Sequence, residues 1–353
     1  MSEKKQEQRE PMETKWVRTN EVSKAVYNET LKEAAALIRG GELVAFPTET
    51  VYGLGGNAYD AKAAEKIYAA KGRPSDNPLI VHISHIDMMD DLVTELTPLC
   101  RRLAFEFWPG PLTMILPKSE RVPNATTGGL DTVAVRMPAH GVALDFIDEV
   151  RLPIAAPSAN LSGKPSPTRG EHVYHDLKGR IPLLLDGGPV EIGLESTIID
   201  LSRPEPVILR PGRITYEDIK PFAPRLRGRY TAADADIARP KAPGMKYKHY
   251  APDGEMFYLP EGDGAAAAVG GAPGKTALIL SAERWEELKD SVEPDQVYVL
   301  GRRKRLDEIA HNLFHAFREC DREGMESIFI EPFPDVGFGE ALMNRIQKAA
   351  YKK

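Results

Sequence analysis

Ala61 to Ala70, then Lys71-Gly72-Arg73-Pro74-Ser75-Asp76-Asn77-Pro78, then Leu79-Ile80-Val81-His82-Ile83 read in succession as a helix, a short polar loop and a buried strand. Length and β-branched content mark the strand. Pro74 and Pro78 fix φ and remove two backbone donors, so the loop offers side chains to whatever binds there. Lys71 supplies a point charge and Arg73 a planar fork, a pair suited to phosphates and carboxylates. A solvated Lys/Arg pair in a surface turn would read the same in isolation, so the rest of the chain has to decide.

A chain of 353 residues predicts two domains, each able to bury a core. Its composition is that of a globular protein, and a net charge of −6 argues against broad nonspecific nucleic-acid binding, leaving room for a local basic groove. Cys100 and Cys320 lie far apart without metal-ligand spacing, so neither a disulfide framework nor a structural zinc is indicated. A reducing cytoplasm fits. Met1 to Pro11 is charged and lacks the apolar segment of a leader, and no membrane-spanning run follows. Residues 1–16 read as a disordered arm.

From Asn28 the pattern predicts a helix to Arg39, a Gly40-Gly41 stop and an apolar strand Leu43 to Phe46. Further strands are expected at Leu112 to Leu116, Thr132 to Arg136, Ile154 to Ala156, Leu183 to Asp186 and Thr197 to Asp200, with helical stretches between. Together they make residues 17–221 an α/β domain around a large twisted sheet. From Phe222 to Pro252 hydrophobic periodicity stops; a segment that long is a lid, a binding loop or disorder, and 222–254 is read as a linker and active-site lid. Strands at Thr276 to Leu280, Val297 to Leu300 and Ser327 to Ile330, with helices at Glu283 to Lys289, Leu306 to Cys320 and Glu340 to Tyr351, predict a small doubly wound domain over 255–353. Gly274-Lys275-Thr276 imitates a phosphate loop, but the motif's first Gly would fall at Val269 and the strand follows it; a plain loop is the better reading.

Five places just past apolar strand ends carry polar residues, where open α/β sheets put ligand chemistry. Pro47-Thr48-Glu49-Thr50-Val51-Tyr52-Gly53-Leu54-Gly55 sets hydroxyls and a carboxylate at a glycine-permitted turn, or caps a following helix. The Lys71/Arg73 loop leads to His82, which among Ile and Val is either a ligand-binding group or a satisfied core histidine. In Thr132-Val133-Ala134-Val135-Arg136-Met137-Pro138, alternation puts Thr132, Ala134 and Arg136 on one face. An Arg inside an apolar run needs a buried anionic partner, so a bound carboxylate or phosphate is expected there. Ala156-Pro157-Ser158-Ala159-Asn160-Leu161-Ser162-Gly163, with Thr168 downstream, offers small groups that a ligand can approach, or only a turn. Glu195-Ser196-Thr197-Ile198-Ile199-Asp200 is answered by Leu209-Arg210-Pro211-Gly212, where Arg210 repeats the Arg136 argument.

These places hold three Arg, one Lys and several hydroxyls, with no catalytic triad, carboxylate pair, CxxC or HExxH signature. Fixed cations without an evident nucleophile suit positioning and charge stabilisation in phosphoryl or nucleotidyl transfer, with Mg²⁺ accompanying the nucleotide.

PTETVYGLG, KGRPSDNPLIVHI, WPGPLT (Trp108 to Thr113), VAVRMP, APSANLSGKPSPT and STIID with LRPG, in this order, resemble the YrdC/Sua5 family. PGMKYKHYAP (Pro243 to Pro252) followed by a small α/β domain is similar to its long Sua5 form. The resemblance implies a YrdC-like twisted mixed sheet whose helices form a concave site, a Rossmann-like C-terminal Sua5 domain, and L-threonylcarbamoyladenylate synthase activity. ATP, L-threonine and bicarbonate or CO₂ would give threonylcarbamoyl-AMP and pyrophosphate, with Mg²⁺ carried by ATP and no tightly bound organic cofactor. The product would pass to a tRNA threonylcarbamoyl-transferase complex for t6A at position 37 of tRNAs reading ANN codons, in the cytoplasm and away from membranes. Carried over residue by residue, the resemblance implies that Thr50, His82, Arg136, Ser158 and Ser196 hold threonine and its carbamate, Arg136 taking the α-carboxylate. Lys71, Arg73, Asn77, Thr132, Asn160, Thr168, Arg210 and Tyr250 would hold ATP, with Lys71 and Arg73 stabilising the leaving group. Tyr247, His249 and Tyr250 mark the expected lid.

Two other readings remain at this point. The YrdC-like fold is associated with double-stranded RNA binding, and a basic surface could grip phosphates or contact tRNA without chemistry. A carbamoyl-adenylate former, like the related domain of hydrogenase maturation proteins, would ignore threonine and consume carbamoyl phosphate.

Overall fold

The computed structural model describes residues 12–227, 241, 250–262 and 264–350. Its first strand, β1 (Lys15–Arg18), begins inside the expected arm. Lys15 and Trp16 pair in parallel with Leu183 and Leu184, and the Trp16 indole donates to Asp186 at 2.8 Å. A partner strand distant in sequence holds this segment, so its local composition gave no warning. Residues 1–11 lie outside the described residues.

In chain order there follow α1 (Lys24–Arg39), β2 (Val44–Phe46), β3 (Gly53–Asn57), α2 (Ala61–Lys71), β4 (Ile80–His82), α3 (Pro98–Phe107), β5 (Leu112–Pro117), α4 (Asn124–Thr127) and β6 (Thr132–Arg136). Then come α5 (Gly141–Val150), β7 (Ile154–Ala155), α6 (Gly170–Leu177), β8 (Leu183–Asp186), β9 (Thr197–Asp200), β10 (Val207–Arg210) and α7 (Tyr216–Ile219). Helix α1 starts earlier than Asn28, at a Ser23 cap that accepts the Val26 amide, and stops at Gly40 as expected. Helix α2 is capped by Asp60 and ends at Gly72, whose φ of +64° is a left-handed stop. The ten strands form one mixed sheet in the order β1-β8-β2-β3-β7-β4-β6-β5-β9-β10. Val81, Val133, Val135 and Leu184 bury one face; Phe46, Ile154 and Leu185 pack with Ala34, Ile38 and Phe146 of α1 and α5 on the other.

Strand β3 occupies a stretch whose glycines suggested only a turn, and no helix follows Thr48 to Thr50. Instead Thr48 Oγ1 accepts the amides of Thr50 and Val51 and closes a tight turn into β3. Glycine is required inside this central strand by packing: a Cβ on Gly55 would sit 2.7 Å from Ile154 Cγ2 and 3.0 Å from Phe46.

The C-terminal domain comprises β11 (Glu255–Tyr258), α8 (Gly264–Gly270), β12 (Thr276–Leu280), α9 (Ala282–Leu288), β13 (Gln296–Val299), α10 (Leu306–Glu323), β14 (Ser327–Ile330) and α11 (Phe338–Ala350). Its four strands are parallel in the order β11-β14-β12-β13. Leu313, Phe317, Leu342 and Ile346 of α10 and α11 cover one face; Ala265, Val269 and Leu288 of α8 and α9 cover the other. The arrangement is doubly wound. The Thr276 hydroxyl and amide are both tied to Asp295, so Gly274-Lys275-Thr276 is a loop before a strand.

Of the expected linker and lid, residues 228–240 and 242–249 lie outside the described residues, Tyr247 and His249 among them. Arg318 of α10 docks the domains by pairing with Asp176 at 2.8 Å and donating to the Pro165 carbonyl. Lys164 likewise bridges Asp253 and Asp321.

Replacing Gly55 by Ala is expected to cost about 1–3 kcal/mol by overpacking β3 against Ile154 and Phe46. Urea unfolding would read this, and wild-type stability in the variant would disprove the packing requirement.

Candidate active site

The site is assembled where β4 and β6 end side by side. Their parallel register sets His82 against Arg136, and alternation gives both the face occupied by Ile80 and Ala134. Strand β9 runs parallel to β5, and Ser196, one residue before β9, meets Thr113 hydroxyl to hydroxyl at 2.8 Å. A bulge in β10 places Arg210 opposite Ile198 and so on this same face.

Arg136 was expected to need a bound anion; the protein itself supplies one. Glu49 Oε2 lies 2.6 Å from Arg136 Nη2, both residues being buried. The contact is Coulombic and off the hydrogen-bond direction, so among the described residues neither Glu49 oxygen has an aligned donor. Arg136 Nη1 donates to Thr50 Oγ1 at 2.8 Å, and Nε to the Gly110 carbonyl.

Lys71 is handled differently. Its ammonium, fully buried at the end of α2, donates to the carbonyls of Ser158 and Asn160 at 2.5 Å each. Burial, reinforced by Arg73, pushes its pKa well below the ordinary lysine range. Arg73 is half-buried; its guanidinium folds back to the Asn77 and Pro78 carbonyls, and burial lowers its pKa to about 10. The Ser158 hydroxyl donates to Asn160 Oδ1. Arg210 donates to the carbonyl and hydroxyl of Ser196 at 3.1 and 3.2 Å. Among the described residues no carboxylate lies within ion-pair distance of Lys71, Arg73 or Arg210.

Thr50, Lys71, Arg73, His82, Arg136, Ser158, Asn160, Ser196, Arg210 and Tyr250 thus line one cavity of about 60 Å³. Asn77, Thr132 and Thr168 stand outside its wall. Asn77 is buried behind the loop, Thr132 opens β6 at the far end from Arg136, and the Thr168 amide is tied to His172. Tyr250 stacks on Phe314 with ring centroids 5.2 Å apart.

Sequence reading quoted Glu195 only as part of its motif, gave it no role, and missed Arg345, the cation behind it. Glu195 accepts from Ser166 and pairs with Arg345 of α11 at 3.0 Å. Burial would raise the Glu195 carboxyl, but Arg345 and Arg210 hold it below the usual range. Arg345 did carry a signal: it interrupts the helical apolar stripe Ala341, Leu342, Ile346, Ala349.

Buried cations and small hydroxyls gathered at strand ends suit an anionic small molecule. Residues 36–212 match the Sua5/YciO/YrdC family model, described as telomere recombination, and residues 214–351 match that of the threonylcarbamoyl-AMP synthase C-terminal domain. The chain is 47% identical over 327 residues to threonylcarbamoyl-AMP synthase of Pyrococcus abyssi, covering 91% of this chain and 94% of that one. It is also 47% identical to the Bacillus subtilis enzyme of that name, covering 91% and 92%. The crystal structure of P. abyssi Sua5 complexed with L-threonine matches with a TM-score of 0.85 at 44% identity, over 96% of this chain and 97% of that one. The chain belongs to the Sua5/YrdC family of threonylcarbamoyl-AMP synthases, and is of the long form with both domains.

His82 is buried, and burial together with Arg136 lowers its pKa to about 3. His172 stacks on His315 across the domain junction, ring nitrogens 3.2 Å apart; burial and then Arg318 lower it to about 2. Both lie below the ordinary value of 6.5, so the unfolded chain binds more protons than the fold in between, and stability falls as pH drops below 6.5. The urea midpoint should therefore decline from pH 6.5 to 5, and His172→Gln should flatten that slope. An unchanged slope in the variant would show that His172 is not held neutral.

Proposed function

We propose that the chain condenses L-threonine, bicarbonate or CO₂, and ATP into threonylcarbamoyl-AMP and pyrophosphate. One observation carries this reading: among the described residues Lys71, Arg73 and Arg210 hydrogen-bond to neutral acceptors, and they converge with Arg136 on one cavity. Their charge suits a triphosphate, and cations buried below the surface suit a small molecule better than a nucleic-acid duplex. Relatives of the same length carry the synthase name, and one is complexed with L-threonine.

In this reading Arg136, with Thr50, His82, Ser158 and Ser196, holds threonine. The amine attacks CO₂, losing a proton, and the resulting carbamate oxygen attacks the α-phosphate of ATP while pyrophosphate leaves. With a pKa of about 3, His82 is too weak a base to keep that proton near neutral pH and serves as a neutral hydrogen-bonding group. Lys71, Arg73 and Arg210 face the phosphates, with Asn160 and Tyr250 beside them. Asn77, Thr132 and Thr168 stand further back and would need the nucleotide to reach them. Magnesium enters with ATP: the cavity-wall carboxylate, Glu195, already serves Ser166 and Arg345. The product would supply the threonylcarbamoyl group of t6A37 through a tRNA-modifying transferase.

Purified protein given Mg·ATP and bicarbonate should release pyrophosphate only when L-threonine is present, with an adenylate of threonylcarbamoyl-AMP mass. Arg136→Ala should lower kcat/KM for threonine about 100-fold by removing the guanidinium that faces the threonine carboxylate and leaving buried Glu49 unpaired. Threonine-independent turnover, or turnover requiring carbamoyl phosphate, would overturn the assignment.

A further inference from the structure

Arg345 stands on the buried face of α11 in the C-terminal domain, yet its guanidinium ends among N-terminal-domain atoms. Nε donates to Glu195 Oε2 at 3.0 Å and Nη2 to the Glu195 carbonyl at 3.2 Å. Nη1 donates to the Pro211 carbonyl at 2.7 Å. The guanidinium carbon also lies 5.9 Å from the centre of the Tyr250 ring. Glu195 immediately precedes Ser196, and Pro211 immediately follows Arg210. One planar group therefore grips both backbone segments that carry the Arg210–Ser196 contact.

Packing alone does not require an Arg here. The helix face around it is apolar, and a buried hydrocarbon of similar size would avoid the desolvation of an ion pair. A rigid fork of donors is what these three acceptors match, and an ammonium cannot span them. The two segments also touch without slack: a Cβ on Gly212 would sit 2.3 Å from the Thr197 amide nitrogen. Their mutual spacing is set by direct contact on one side and by Arg345 on the other.

We propose that Arg345 is a positioning residue for adenylate formation, clamping the Glu195–Ser196 and Arg210–Pro211 backbones at the spacing that presents Ser196 to threonine and Arg210 to the ATP phosphates. The inference rests on the functional reading above and extends it by giving the C-terminal domain a direct part in the chemistry of the first.

The test uses the full chain with Arg345→Lys, Arg345→Ala and, as a stability control, Leu278→Ala, which opens the core on the opposite face of the C-terminal sheet. Kinetics of threonine-dependent pyrophosphate release are read below each variant's melting temperature. Both Arg345 variants should lose about 100-fold in kcat/KM, the Lys variant nearly as much as the Ala variant, because small misplacements of site groups cost that much. Leu278→Ala should keep the wild-type value despite a lowered melting temperature. Near-wild-type kcat/KM in either folded Arg345 variant, an equal loss in Leu278→Ala, or failure of both Arg345 variants to fold would overturn the proposal. If the wild-type protein releases no threonine-dependent pyrophosphate, the functional reading itself fails. Calorimetric ATP affinity then decides: weaker binding in Arg345→Lys but not in Leu278→Ala supports the clamp, and equal binding overturns it.

Discussion

Lys71, Arg136 and Arg210 end buried in one cavity beside half-buried Arg73, and removing three cations from water together is the constraint around which the first domain is arranged. Each is met differently. The turn after β7 must pass close to α2, because its Ser158 and Asn160 carbonyls solvate the Lys71 ammonium. The turn after β2 must bring Glu49 inward, because Arg136 has its counter-charge there. The segment before β9 must lie against the end of β10, because Ser196 accepts two hydrogen bonds from Arg210. Carbonyls and hydroxyls solvate a cation without cancelling its charge. Apart from Glu49 and Glu195, the cavity keeps a positive potential in a low-dielectric setting, where an anionic ligand gains most.

The sheet makes this gathering possible. Parallel pairing puts the ends of β4 and β6 together, while β5, antiparallel to β6, starts at the same edge beside the segment leading into β9. Loops distant in sequence thus converge at one edge. The C-terminal domain closes part of the remaining boundary: Phe314 stacks on Tyr250, Arg345 reaches Glu195, and Lys164 meets Asp253 and Asp321. Tyr250 itself has a φ of +67°, a conformation unfavourable for a bulky residue and tolerated where surrounding contacts hold it.

Much of the fold was legible locally. Strands β6, β8, β9, β12 and β14 have the boundaries read from their apolar runs, since a short β-branched run with few alternative burial modes specifies a strand by itself. Helix α1 stops at Gly40 as read, and α2 runs one residue past the Ala70 of the reading to a Gly72 in the left-handed conformation that stops a helix. Strand β3 was hidden because its glycines signal a turn locally, while the close approach of Ile154 and Phe46 that demands them is a tertiary fact. Strand β1 was hidden because its pairing partner, β8, lies far along the chain.

For the site, the residue types and their positions past strand ends, together with the ordered motifs, identified the Lys71, Arg73, Arg136 and Arg210 set from sequence alone. The chemistry of a cationic pocket depends on which charges are present, and composition and spacing record that. What the sequence could not assign was the partner of each buried charge: Glu49 for Arg136, backbone carbonyls for Lys71, and Arg345, from the other domain, for Glu195. Such pairings are decided by which groups the folded chain leaves without water, a property of the three-dimensional packing that no local pattern of residues contains.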